Sequence, residues 1–150
     1  MIRLVNLIFL ILLLSGCAYE PILLKKNYDF NFVEINANGE PKINEIITNR
    51  LANNTKTSSD TDYKIFFQSV KDKKVISSNK KGDPTIYKIT VKLKYKIMQN
   101  NKAIIENEII KQTTYNNIDD KFELLKKEEN MIKNLSEKFA DDILYRLQNF

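Results

Sequence analysis

Tyr87-Lys88-Ile89-Thr90-Val91-Lys92-Leu93-Lys94-Tyr95-Lys96-Ile97 decides the fold. Apolar side chains take every odd position, and Lys or Thr takes every even one. A period of two is the mark of a strand with one buried and one solvated face, because successive side chains leave the pleat on opposite sides. The segment therefore offers an apolar wall for a core and, behind it, a ladder of ammonium groups at Lys88, Lys92, Lys94 and Lys96.

Immediately downstream, Asn100-Asn101-Lys102 reads as a hairpin loop into a second strand. A three-residue loop sets Lys96 opposite Glu106 and Lys94 opposite Glu108, with Ile97 facing Ile105 and Leu93 facing Ile109 on the core side. A two-residue loop would set Leu93 against Glu108, so cross-strand pairing favours the longer loop. In that register two of the four lysines meet carboxylates, which describes a self-compensated solvated face. The competing reading is a lipid-binding surface, and Lys88 and Lys92, left over, are free to answer an acidic surface on a partner.

Upstream, Ser78-Asn79-Lys80-Lys81-Gly82-Asp83-Pro84 is turn chemistry, with Gly82 suited to positive φ and Pro84 unable to continue a ladder. Before it, Asp62 to Ser77 forms a strand with Tyr63, Ile65 and Phe67 on one face and Phe66 and Val70 on the other, a pattern expected of a strand partly covered on both sides. Asn53 to Asp60 is a polar linker. Pro41 to Ala52 is a helix, Pro41 fitting the first helical position and Ile43, Ile46, Ile47, Arg50 and Leu51 forming one stripe. Asn36 to Glu40 reads as a turn, and the alternation of Tyr28, Phe30 and Phe32 before Val33 and Ile35 as a short first strand.

The chain closes on a long amphipathic helix starting near Asn117, which can cap it, with Asp119 and Asp120 at its positive end and Arg146 near its negative end. Leu125, Ile132, Leu135, Phe139, Ile143, Leu147 and Phe150 make its core stripe. The order β-α-β-β-β-α predicts an α+β fold, a two-layer α/β sandwich with two helices packed on a four-stranded mixed sheet, as one domain over residues 28–150.

The other end carries an address. Arg3 and the apolar run Leu4 to Leu14 precede Leu14-Ser15-Gly16-Cys17. The run is too short to span a bilayer and reads as a signal peptide over residues 1–16. It resembles the lipobox of bacterial lipoproteins, which implies cleavage after Gly16 and covalent lipid on Cys17, the only cysteine. Three acyl chains on one residue make a lasting anchor. Ala18 stands where many inner-membrane lipoproteins carry Asp, so the resemblance implies the periplasmic face of the outer membrane. Ala18 to Asn27, with Pro21 and Lys25-Lys26, is a tether of roughly 30 Å when extended.

Removal of residues 1–16 leaves 134 of 150, and without Arg3 the basic count falls from 24 to 23 against 19 acidic residues. The surplus is mostly Lys beside many Asn and Ile, residues that AT-rich codons supply. His is absent, which rules out Ser-His-Asp and Cys-His catalysis and His-ligated metal, and Gly16, Gly39 and Gly82 build no phosphate loop. Asp119-Asp120 and Asp141-Asp142 point to different sides of a helix and read as helix-start and solvent-face residues. No enzyme, cofactor or metal is expected.

Cys17-Ala18-Tyr19-Glu20-Pro21-Ile22, the helix Ile43 to Leu51 and the terminal stretch Leu135 to Leu147, set in this element order, resemble the lipopolysaccharide-assembly lipoprotein family (LptE) in its short form. The resemblance implies a non-enzymatic partner of the outer-membrane LptD β-barrel: it plugs the barrel, assists its assembly and helps deliver lipopolysaccharide to the outer leaflet. It further implies lipopolysaccharide contact at Lys80 and Lys81, and more loosely at Lys121, Lys126 and Lys127. Solvated turn lysines are the plain alternative at these positions. Two other functions stay open: a periplasm-facing lipoprotein of a lipid-transport ABC system, and a carboxylate hydrolase, which needs two acids across a cleft.

Overall fold

The computed structural model describes residues 28–56 and 59–150. The signal peptide, Cys17 and the tether fall outside the described residues. Six elements follow in the expected order: β1 (Asn31–Gly39), α1 (Pro41–Asn53), β2 (Asp62–Ser78), β3 (Pro84–Gln99), β4 (Lys102–Asn116) and α2 (Lys121–Gln148). The strands lie side by side in chain order. β1 runs parallel to β2, as a helical crossover requires, and the other pairs are antiparallel hairpins. Both helices bury their apolar stripes on one face of the sheet, giving the expected two-layer α+β sandwich with a mixed sheet.

The apolar wall of β3 is the centre of the core: Ile89, Val91, Leu93 and Ile97 are fully buried and Tyr95 nearly so. Over it lie Ile43, Ile47 and Leu51 of α1, and Phe139, Ile143, Leu144 and Leu147 of α2. Each such side chain contributes about 1.5–3 kcal/mol by leaving water. The Asp141-Asp142 pair, partly exposed as a solvent-face pair should be, also fastens the layers. The Arg50 guanidinium forks onto Asp141 at 2.9 and 3.1 Å, tying α2 to α1, while Lys111 of β4 meets Asp142 at 2.6 Å. Neighbours on a helix point about 100° apart, so the two carboxylates serve opposite flanks.

The β3–β4 register agrees with expectation at Lys94–Glu108, Lys96–Glu106, Leu93–Ile109 and Ile97–Ile105. The loop that delivers it is shorter than expected. Asn100 and Asn101, with φ of 49° and 61°, form a two-residue turn, and Lys102 already belongs to β4, opposite Gln99. Ile104 is an extra residue in β4, a bulge that moves the pairing by one place and restores apolar-to-apolar alignment. The opposed Lys and Glu rungs do not close: among the described residues the ion pairs lie elsewhere.

Four further expectations are corrected. Tyr28 makes only an isolated bridge to Thr55, and the strand runs on from Asn31 through Asn36–Gly39, because parallel pairing with Phe66–Ser69 supplies the backbone partners. Val33 sits where the β1 register slips and is exposed. The outer face of β2 has no second cover among the described residues: Phe66 is half-buried there and Val70 about half exposed. In α2 the core position is Leu124, not Leu125, since Leu124 aligns with Ile132, Leu135 and Phe139 while Leu125, about 100° round the helix, turns outward and is 61% exposed; Phe150 is also exposed.

Candidate functional site

β2 and β3 are long enough to carry their connecting turn to the end of the molecule away from the chain's first described residues. Asn79 organises that turn. Its Oδ1 accepts the Lys81 N–H at 2.8 Å and the Asp83 N–H at 3.0 Å, its Nδ2 donates to the Asp83 carboxylate at 3.0 Å, and its carbonyl accepts the Gly82 N–H at 3.0 Å. Gly82, at φ +90°, completes the reversal as its sequence predicts. Asp83 is thereby engaged by Asn79, and Lys80 and Lys81 are left exposed at the apex, in no ion pair among the described residues.

The start of α2 is tied to the same end. The Asn117 backbone N–H donates to Thr85 O at 2.8 Å and its side-chain amide donates to Pro84 O at 2.8 Å. The expected cap at Asn117 is therefore replaced by Asp120, whose carboxylate accepts the N–H groups of Phe122 at 2.8 Å and Glu123 at 3.1 Å. Three residues between Asn117 and the first helical turn bridge the hairpin to the helix, which is why the cap moves downstream. Lys121 opens α2, and beside it Phe122 and Leu125 are 71% and 61% exposed. Lys121 and Leu125, four apart, share a helix face.

A polar staple holds this half of α2 to the sheet. Lys73 of β2 reaches Glu128 at 2.5 Å, the Tyr115 hydroxyl donates to the same carboxylate at 2.9 Å, and the ammonium lies 4.6 Å from the centroid of the Tyr87 ring. Tyr87 and Tyr115 stack at 5.5 Å. Burial alone would raise the Glu128 pKa, but the hydrogen bonds from Lys73 and Tyr115 and the positive charges of Lys73 and Lys71 outweigh it and hold the carboxyl below its ordinary range. Lys73 is likewise raised: the Glu128 and Tyr115 contacts exceed the opposing effect of burial.

The structure thus brings Lys80, Lys81 and Lys121 to one end with two exposed apolar side chains, and it places Lys126 and Lys127 one to two turns along α2. There they border a depression of about 400 Å³ with Ile118, Glu123 and Met131. Cys17 lies outside the described residues. Phe122 and Leu125 were missed as site residues. Their only sequence signal is an apolar pair three apart on a helix whose core position is already held by Leu124. A larger concavity, about 670 Å³, lies on the open sheet face between Asn36, Phe66, Lys94 and Glu108, away from the lysine turn.

A family model described as LptE, lipopolysaccharide assembly, matches residues 30–147. No curated protein matches the chain. Among solved structures, rare lipoprotein B from Shewanella oneidensis superposes with a TM-score of 0.60 at 14% identity, over 77% of this chain and 94% of that one. An uncharacterized lipoprotein B from Nitrosomonas europaea gives 0.58 at 14% identity over 83% and 88%. A putative lipoprotein from Caulobacter crescentus gives 0.58 at 10% over 81% and 89%. At these identities the superpositions speak for a shared fold.

Proposed function

The chain belongs to the lipopolysaccharide-assembly (LptE) family, and on that premise we propose that it is an outer-membrane lipoprotein, anchored through lipid on Cys17, that plugs an LptD-type β-barrel and helps pass lipopolysaccharide through it. The family is a component of lipopolysaccharide assembly and not a known enzyme family. The observation that carries the reading is one end of the molecule, which gathers Lys80, Lys81 and Lys121 with exposed Phe122 and Leu125. Ammonium groups and exposed apolar side chains at one end match a ligand that has anionic phosphates on one side and acyl chains on the other. Clustered ammonium groups also compete with the divalent cations that bridge neighbouring phosphates.

The sandwich suits a plug. Its long axis follows the strands, β2 alone running 17 residues, or roughly 55 Å. The described chain starts at the end opposite the lysine turn, so an anchor there would leave the apex pointing away from its own leaflet.

Gentle detergent purification of the tagged, lipidated protein, with mass spectrometry of what remains bound, tests the reading. The expected companion is a large outer-membrane β-barrel at near-equal stoichiometry. Recovery of inner-membrane transporter subunits without a barrel would move the protein to the ABC-system reading. For the ligand, Lys80→Glu with Lys81→Glu should weaken lipopolysaccharide binding at least fivefold, and unchanged affinity would sink the assignment of these two residues.

A further inference from the structure

β1 accompanies β2 only as far as Ser69. At Gly39 the chain turns away with φ +99°, and Glu40 N–H donates to the Ser69 hydroxyl at 3.0 Å, which closes the pairing. β2 then continues for nine residues, Val70–Ser78, with β3 on one side and no described strand on the other. Three of the exposed large apolar residues of the molecule, Val70, Val75 and Ile76, fall within these nine. A free edge carries a row of unpaired N–H and C=O groups, a ready template for another extended segment.

We infer that the Val70–Ser78 edge of β2 is a strand-addition site for an extended acidic segment of the protein it docks with. Charge selects the occupant. Residues 70–90 hold six lysines against two aspartates, a surplus of four within a chain whose total surplus is five. Asp72 is already paired with Lys74 at 3.2 Å and Lys73 with Glu128 of α2, which leaves Lys71 as the lysine of this edge with no ion-pair partner among the described residues. A second copy of this edge would bring like charges together across the ladder, which opposes self-pairing. An acidic strand of alternating pattern instead gains backbone hydrogen bonds along roughly 30 Å, seats apolar side chains beside Val70 on the outer face and places carboxylates beside Lys71 and Lys73 on the helix-covered face. The identity of the partner rests on the barrel reading above; the edge chemistry does not.

Hydrogen–deuterium exchange of the full lipidated protein in detergent tests this. A blocked nine-residue peptide of alternating valine and glutamate should slow exchange within residues 70–78 at least tenfold, and its valine–lysine counterpart should not. Lys71→Glu with Lys74→Glu should abolish the slowing while exchange across Lys102–Asn116 stays as in the parent, showing an intact sheet. In a purified complex with the barrel, the same window should be slow. The proposal falls if the glutamate peptide does not protect residues 70–78, if the lysine peptide protects them equally, or if the protein alone is a dimer with that window already protected. A barrel complex that leaves the window exposed overturns the edge proposal and spares the plug. Absence of any barrel overturns the plug, and the peptide experiment still decides the edge.

Discussion

At the scale of single residues, two positions carry more than their neighbours. A Cβ on Gly39 would lie 1.9 Å from the Ser69 carbonyl oxygen, and its φ of +99° is one that L side chains rarely adopt. Gly39→Ala should therefore destabilise by at least about 2 kcal/mol, seen as a lower urea midpoint with unchanged slope. The Lys73–Glu128 staple adds a pH dependence whose sign follows from the depressed Glu128 pKa. Its contribution is present above the ordinary value of 4.5 and is lost as pH falls through the lower folded value. Glu128→Gln should thus lose less stability than the parent between neutral pH and this acidic window, by thermal melts at several pH values. At neutral pH the same change should cost about 1–2 kcal/mol, a modest figure because Lys73 is about one-third exposed and partly screened. None of the staple's four residues could be matched in the sequence, since Lys73, Tyr87, Tyr115 and Glu128 come from four separate elements.

At the scale of elements, the β3–β4 hairpin shows how far a pattern reaches. Alternation set which residues of β3 face the core, and cross-strand pairing set the register with β4, because a slip of one place exchanges the two faces. The same argument misjudged the loop, since a longer loop and a shorter loop with a bulge yield one register. Only backbone geometry separates them. Asn101, at φ 61°, occupies a place where glycine is unstrained, so Asn101→Gly should raise the melting temperature slightly and Asn101→Val should lower stability by about 1–2 kcal/mol. In α2, periodicity located the helix but put Leu125 on the core stripe in place of Leu124. Which of the two faces the core depended on where the twisted sheet met the helix.

At the scale of the whole molecule, the two ends differ in chemistry: the first described residues and the C-terminus of α1 at one, the lysine turn and the start of α2 at the other. If Cys17 holds the lipid, a dye attached at Asp29→Cys in reconstituted membranes should be quenched by headgroup-labelled lipid more strongly than one at Lys80→Cys. Equal quenching would mean that the sandwich lies flat and would contradict the plug orientation. The sequence by itself determined the element order, the core wall of β3, the stripe of α1, the turn at Gly82 and the family, because each depends on local periodicity, local backbone preference or a pattern spread along the chain. Tertiary structure alone decided the strand order, the length of β1, the bulge at Ile104, the clasping of α2 by Arg50 and Lys111, and the union of the lysine turn with Phe122 and Leu125. Each of these joins residues far apart in the chain, and their proximity follows from how the layers pack rather than from the residues that meet.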